Sequence, residues 1–187
     1  MSARESYSKS YIGGREMIEV EQIVSIPEEK TGLLVGKGGK TKREIEKMGK
    51  VRLKVTEGTV RVSGESLDVL KASEVVRAMG LGFTKEEAFN LFSDDQQLAI
   101  FDLAEIVPES QLRRVCGRII GERGKAKLHL EKRLGIRILV LRDKVAAIGP
   151  PPRIRVFQEV LDRLLHGATH SSAYRHLERR LASLEKI

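Results

Sequence analysis

Two short turns framed by glycine, Gly36-Lys37-Gly38-Gly39 and Gly121-Glu122-Arg123-Gly124, constrain this chain more than any other feature of it. They stand 85 residues apart, and the flanking sequence keeps the same register. Gly32 aligns with Gly117, Lys40 with Lys125, Lys42 with Lys127 and Glu46-Lys47 with Glu131-Lys132. Further on, Arg52 aligns with Arg137, Val55 with Val140 and Gly64 with Gly149. Each turn follows an apolar run, Leu33-Leu34-Val35 or Ile119-Ile120, and precedes a basic helical stretch and then a β-rich one. A lone GxxG recurs by chance, whereas a register held over about thirty residues marks an internal duplication. The 187 residues therefore divide into two copies of one small module.

Periodicity gives each copy the order strand, helix, GxxG, helix, strand, strand, helix. In the first copy a strand over 17–26 ends at Pro27, and Pro27-Glu28-Glu29 opens a helix that runs into the Gly36 turn. A helix over 41–48 turns Ile45 and Met48 inward, strands cover 51–55 and 59–63, and a helix over 66–79 aligns Leu67, Leu70, Ala72, Val75 and Ala78. A connecting helix over 84–92 has Thr84 and Glu87 spaced as a capping box, with Phe89 and Phe92 to dock it. The second copy begins with a strand over 98–107 closed by Pro108. Gly36 lies 9 positions after Pro27 and Gly121 lies 13 after Pro108, so the second copy gains about one helical turn before its loop. Gly149 and the three prolines after it predict a rigid corner, followed by a helix over 153–165. A last helix over 173–187 carries an apolar stripe of Tyr174, Leu177, Leu181, Leu184 and Ile187, to pack on the modules or to face another protein. The boundaries expected are a flexible arm at 1–15, a first domain at 16–82, a connector at 83–96, a second domain at 97–170 and a C-terminal helix at 171–187.

The chemistry of the turns points to a polyanion. Glycine has no Cβ, so backbone at Gly36, Gly38, Gly39, Gly121 and Gly124 can approach a ligand closely. The helix that follows aims its N-terminal amides at the same place, which suits a phosphate. Lys37, Lys40, Lys42 and Arg43 add charge in the first copy, and Arg118, Arg123, Lys125 and Lys127 in the second. Glu122 puts a carboxylate in the second tip, which makes the first loop the stronger site electrostatically. The adjoining strand can floor a trough for about four single-stranded nucleotides. Candidate floor residues are Val35, Val51, Leu53 and Val55, then Ile120, Ile136, Ile138 and Val140, half of which must face the core. A formal net charge of +8 agrees with a polyanionic partner, and an aromatic content of 4% argues against ring stacking as the main grip.

Other chemistries find no support. Gly39-Lys40-Thr41 imitates only the end of a phosphate-binding P-loop, and the Rossmann glycine spacing is missing. His129, His166, His170 and His176 are scattered without metal-ligand spacing, and no set of nucleophile, base and orienting acid is present. The expectation is a non-enzyme without cofactor or metal. A single cysteine, Cys116, excludes an internal disulfide and reads as a small core residue. No apolar run is long enough for a membrane span or a secretory leader, so the expected location is the cytoplasm.

With these motifs in this order, the chain resembles a tandem pair of type I KH domains. That resemblance implies an α+β fold with a three-stranded sheet packed by three helices in each domain. From about Met17 onward the layout is similar to the archaeal Dim/Pno (partner of Nob) family of ribosome-assembly factors, related to Krr-type proteins. The paired loops, the 84–92 connector, the Gly149-Pro150-Pro151-Pro152 corner and the helical tail carry this similarity. It implies binding of small-subunit rRNA near its 3′ end, with a Nob-type endonuclease, an rRNA dimethyltransferase and initiation factor 2 as partners, and a monomer. Eukaryotic relatives have lost the GxxG of the first domain, whereas this chain keeps Gly36 and Gly39. A KH scaffold for other proteins and an mRNA-binding regulator are the competing readings.

Overall fold

The computed structural model describes residues 5–12 and 15–184, with side chains from Val20 onward. Gly13, Gly14 and Ile187, expected in the arm and on the C-terminal stripe, lie outside the described residues. The chain forms two compact units, one through Asp94 and one from Asp95.

In the first unit β2 (Arg15–Ser25), β3 (Arg52–Thr56) and β4 (Thr59–Glu65) make an antiparallel sheet with α1 (Glu28–Val35), α2 (Lys40–Gly49) and α3 (Ser66–Leu81). The strand β1 (Glu5–Ile12) adds a fourth to this sheet, in the order β1-β2-β4-β3. Residues 1–15 are expected to be a flexible arm; of the described part, β1 runs antiparallel to β2 from Glu5 opposite Gln22 to Ile12 opposite Arg15. The reason is geometric: β4 covers one edge of β2, and the polar arm supplies the missing ladder on the other.

Pro27 lacks the N–H a strand would need, and it caps α1, with Glu28 and Glu29 in its positive first turn. Alternation in β3 buries Leu53 between exposed Arg52 and Lys54, and β4 adds Val60 and Val62 to the core. Helix α3 closes the unit with Val69, Ala72, Val75, Val76 and Met79. Leu67 and Leu70, expected inward, are 73% and 54% exposed. At 100° per residue they lie on the arc opposite Val69 and Val76, whereas Ala72, Val75 and Ala78 of the same expected stripe are buried. Met48 is likewise 52% exposed, because Gly49 takes the inner position: a Cβ there would sit 3.0 Å from Phe92.

The connector docks on this first unit. Thr84 and Glu87 form the expected capping box at the start of α4 (Lys85–Phe89). A turn of 3₁₀ helix then brings Phe92 edge-on to Phe89, with centroids 5.5 Å apart.

The second unit repeats the plan with β5 (Gln97–Asp102), β6 (Arg137–Val140) and β7 (Lys144–Gly149) in the order β5-β7-β6. Its helices are α5 (Glu109–Ile120), α6 (Lys125–Leu134) and α7 (Pro151–Leu165), with α8 (His170–Leu184) added. The first strand was expected to reach residue 107 but stops at Asp102. There the carboxylate accepts from Ala104 N at 3.0 Å, and Val107 N returns to Leu103 O. Helix α5 has 12 residues against 8 in α1, the extra turn that the proline spacing predicts. The prolines do not precede a helix beginning at 153; Pro150 caps α7, and Pro151 and Pro152 lie in its first turn, where amide hydrogens have no partner to lose. Phe157 anchors the core, edge-on to Phe101 at 5.7 Å. The stripe of α8 is buried at Ala173, Leu177 and Leu181 within this same core, so it is not a face offered to another protein.

Candidate nucleic-acid interface

Each GxxG joins two helices through the same backbone path. Gly36 and Gly121 have φ of 71° and 73° with ψ of 174° and 178°. Gly38 and Arg123 share φ/ψ of 59°/27° and 52°/30°, and Gly39 and Gly124 share 75°/16° and 78°/5°. The first glycine is required twice over, by its positive φ and by space. A Cβ on Gly36 would lie 2.3 Å from Thr41 Oγ1, and one on Gly121 would lie 2.5 Å from the Ala126 methyl. Both loops are tight corners, with tips Lys37-Gly38 and Glu122-Arg123 exposed. The helices after them, α2 and α6, have no side-chain cap at Gly39 or Gly124; the Lys40 and Lys125 amides donate instead to the Lys37 and Glu122 carbonyls of the turns.

The cations separate into two groups. Lys37, Lys40, Arg43, Arg123 and Lys125 surround the turns, and the Arg43 guanidinium lies close over Gly39. Lys42 and Lys127 instead turn back along their helices. Lys127 Nζ donates to Glu131 Oε1 at 3.0 Å, and Lys42 Nζ lies 3.8 Å from Glu46 Oε1. Arg118 is not in the group at all. Its guanidinium donates to the carbonyls of Leu164, at 2.9 Å, and of Ala168, closing the C-terminal end of α7. A fixed cation meets the carbonyls of a helix end there, which explains why an arginine beside the loop does not reach it. At the position of Arg43 in the repeat, the second copy carries Leu128, 65% exposed.

Of the eight candidate floor residues, Val51, Leu53, Ile136 and Ile138 face the core. Val35 and Val55 are half-buried, Ile120 is exposed, and Val140 packs against the second core from its edge. Beside each loop runs an open strand edge, because β3 and β6 are terminal strands of their sheets.

Sequence reasoning missed Glu46 and Glu131. Glu46 Oε1 accepts from Leu53 N at 2.8 Å and Glu131 Oε1 from Ile138 N at 2.8 Å, each carboxylate tying the helix after the loop to the edge strand. The signal was present, since Glu46 and Glu131 hold the same place in the duplicated register. Cys116 packs at the rim of the second core with its thiol toward the Leu141 carbonyl, and burial pushes the thiol up from its ordinary value. Among the described residues no cluster of His, Cys, Asp or Glu is placed to hold a metal ion, and no helix is long and apolar enough to cross a membrane.

Comparison with known proteins agrees with this geometry. Residues 20–78 match the KH domain family, and residues 97–182 match the family described as eukaryotic type KH-domain, type I. The KH domain-containing protein MJ0443 of Methanocaldococcus jannaschii is 34% identical over 172 residues, covering 88% of this chain and 76% of the relative. A chain in the crystal structure of the a/eIF2alpha–aDim2p–rRNA complex from Pyrococcus horikoshii OT3 superposes with a TM-score of 0.80 at 37% identity. The match covers 87% of this chain and 94% of that one. The RNA-binding protein pno-1 of Caenorhabditis briggsae is 30% identical over 123 residues, 64% of this chain but 44% of the relative, so the chain spans less than half of that protein's length. Two KH units in tandem, duplicated down to the loop dihedrals, and matched along nearly the whole chain, place this protein in the archaeal Dim2p family of KH-domain proteins, closely related to the Pno1 RNA-binding proteins.

Proposed function

We propose that this chain is a non-catalytic factor that grips single-stranded RNA near the 3′ end of small-subunit rRNA during assembly of the small ribosomal subunit. The observation that carries the reading is the pair of exposed GxxG tips with matching backbone, each opening a helix that has no side-chain cap and bordered by an open strand edge. Lys37, Lys40, Arg43, Arg123 and Lys125, around the bare backbone of the two turns, hold the sugar-phosphate strand. The rRNA in the complex of the Pyrococcus relative supports the choice of RNA. The a/eIF2alpha subunit in that complex supports initiation factor 2 as a partner. A Nob-type endonuclease and an rRNA dimethyltransferase complete the set that the family resemblance implies, with a monomer acting in the cytoplasm.

The test is binding of a single-stranded RNA copied from the rRNA 3′ end, measured over a range of salt. The wild type binds at micromolar concentration or tighter, with affinity falling steeply as salt rises. Substituting Asp at Lys37 and Gly38 and at Glu122 and Arg123 abolishes binding while the thermal melt keeps its cooperativity. Unchanged affinity in that variant removes the reading.

A further inference from the structure

The hydrogen bonds from Glu46 and Glu131 recur in both units although the loops beside them have diverged. Lys37 corresponds to Glu122 in the repeat, Gly38 to Arg123, and Arg43 to Leu128, yet the carboxylate and the strand amide keep one geometry, with a lysine four residues before each acid. Each acid stands at the seventh position of its helix and spans seven residues to reach the strand. Glu131 is 8% exposed, and burying a carboxylate is costly unless hydrogen bonds satisfy it.

The strand register shows what these bonds control. In the β3–β4 hairpin Thr56 pairs with Thr59 and Val55 with Val60, and Leu53 N points away from β4, toward Glu46. Strand groups alternate with a period of two, so the N–H and C=O of Val55 point outward as well. In the second unit Leu141 N bonds Lys144 O, which leaves Ile138 and Val140 facing outward in the same way. Each edge strand thus has its leading outward amide filled from within the protein. Among the described residues, the outward groups of Val55 and Val140 carry no such hydrogen bond.

Resting on the RNA-binding reading above, we propose that Glu46 and Glu131 are positioning residues that close one end of each nucleotide trough. By occupying the Leu53 and Ile138 amides they confine base-edge reading to the Leu53 and Ile138 carbonyls and the outward groups of Val55 and Val140. They also hold the strand at a fixed distance from the helix that leads out of the GxxG. A base displaced by one strand pair meets the carboxylate instead of a donor, so the carboxylate sets which nucleotide of the bound run is discriminated.

The experiment compares the full-length wild type with the double variants E46A/E131A and E46Q/E131Q. Each is measured against the single-stranded rRNA 3′-end fragment and a set of single-base changes through it, with amide hydrogen exchange read at Leu53 and Ile138. Gln keeps the acceptor oxygen and releases the lysine, whereas Ala frees the amide. The expected result is that E46A/E131A still binds with a similar salt slope but loses about tenfold of its preference at one position. Its two amides also exchange faster, while E46Q/E131Q keeps both the preference and the protection. The proposal is overturned if the alanine variant retains the wild-type preference, or if the glutamine variant loses it equally. If the wild type binds none of the RNAs, the RNA reading itself falls, and that outcome is distinct because the wild-type amides would remain protected.

Discussion

Arg118 Nη1 donates to the carbonyl oxygen of Leu164 at 2.9 Å, and the same guanidinium bonds the Ala168 carbonyl just beyond the end of α7. His170 Nε2 lies 2.9 Å from the Arg118 carbonyl, so α5 is fastened to the end of α7 by this side chain and to the start of α8 by its main chain. A hydrogen bond to a charged group contributes about 1.5–3 kcal/mol, and removing this one leaves helix-end carbonyls without their cation. Arg118→Ala is expected to lower the stability of the second unit by about 2 kcal/mol. The denaturant midpoint reads this, and the salt slope of RNA binding stays as in the wild type. A reduced slope would return Arg118 to the RNA-contacting group.

The glycines of the two turns are unequal, and alanine substitution separates them. At Gly36 and Gly121 an added Cβ meets both a positive φ and an occupied neighbour, Thr41 or Ala126. The left-handed conformation costs roughly 1–2 kcal/mol for a residue with a Cβ, and overpacking adds about 1–3 kcal/mol. At Gly124 the space is open and only the first cost applies. Gly121→Ala is therefore expected to destabilise by at least about 2 kcal/mol and Gly124→Ala by about 1 kcal/mol. Thermal melts of the two variants check the order.

Arg123 occupies the left-handed conformation that Gly38 occupies in the first loop. Arg123→Gly removes that strain and a loop-tip cation together, so stability and affinity should move in opposite directions. A stability gain of up to about 1 kcal/mol is expected. The salt slope for single-stranded RNA should fall by about 0.7, the value for one phosphate that is no longer neutralised. Parallel melts and salt titrations test the pairing, and a stability gain with an unchanged slope would remove Arg123 from the groups that meet RNA.

The duplication, the order of elements, the capping box at Thr84 and the extra turn of α5 were legible in sequence because each depends on local spacing. What was not legible depends on residues that are distant in sequence and meet only in the fold. Leu67 and Leu70 fit a helical period as well as Val69 and Val76 do, and only the sheet beneath α3 decides which face is buried. Arg118 looks like a loop cation until α7 ends beside it, 46 residues later in sequence. The strand β1 is polar and rich in serine, and its ladder with β2 comes from backbone groups that composition does not reveal. Glu46 and Glu131 stood in register, but a carboxylate between lysines reads as a solvated helix face until the edge amide seven residues on comes into view.

Acid should loosen α8 before the rest of the second unit. Burial acts to raise the Glu159 carboxyl, but hydrogen bonds from His176 and Arg180 outweigh it and hold the group below its ordinary value. The Arg133 guanidinium does the same for Glu178, against a smaller effect of burial. A carboxyl depressed in the folded state adds stability that is complete above its unfolded value and is lost as pH falls through the folded one. The loss therefore sets in below the ordinary carboxylate value of about 4.3. Near-ultraviolet signal from Tyr174, which packs against His129 at 4.4 Å, should decline in this range. The E159Q/E178Q variant, lacking both acids, should show a flatter profile.

Glu122 is the one acid in either loop tip, in the place that Lys37 fills in the first copy. Both tips are exposed and follow the same path, so the charge at this position can be changed without altering the backbone. At a trough that holds phosphates, Glu122 repels the strand while Arg123 beside it attracts, and the two partly cancel. Glu122→Lys replaces a repulsive charge by an attractive one. Neutralising one more phosphate should steepen the salt slope by about 0.7 for single-stranded RNA. The gain in affinity should be largest at low salt and shrink toward high salt, because exposed charges are screened within about 10 Å at 0.1 M. Lys37→Glu should do the reverse in the first unit. If E122K and K37E change affinity by amounts that do not depend on salt, the tips do not meet phosphates and the difference between the loops lies in their shape.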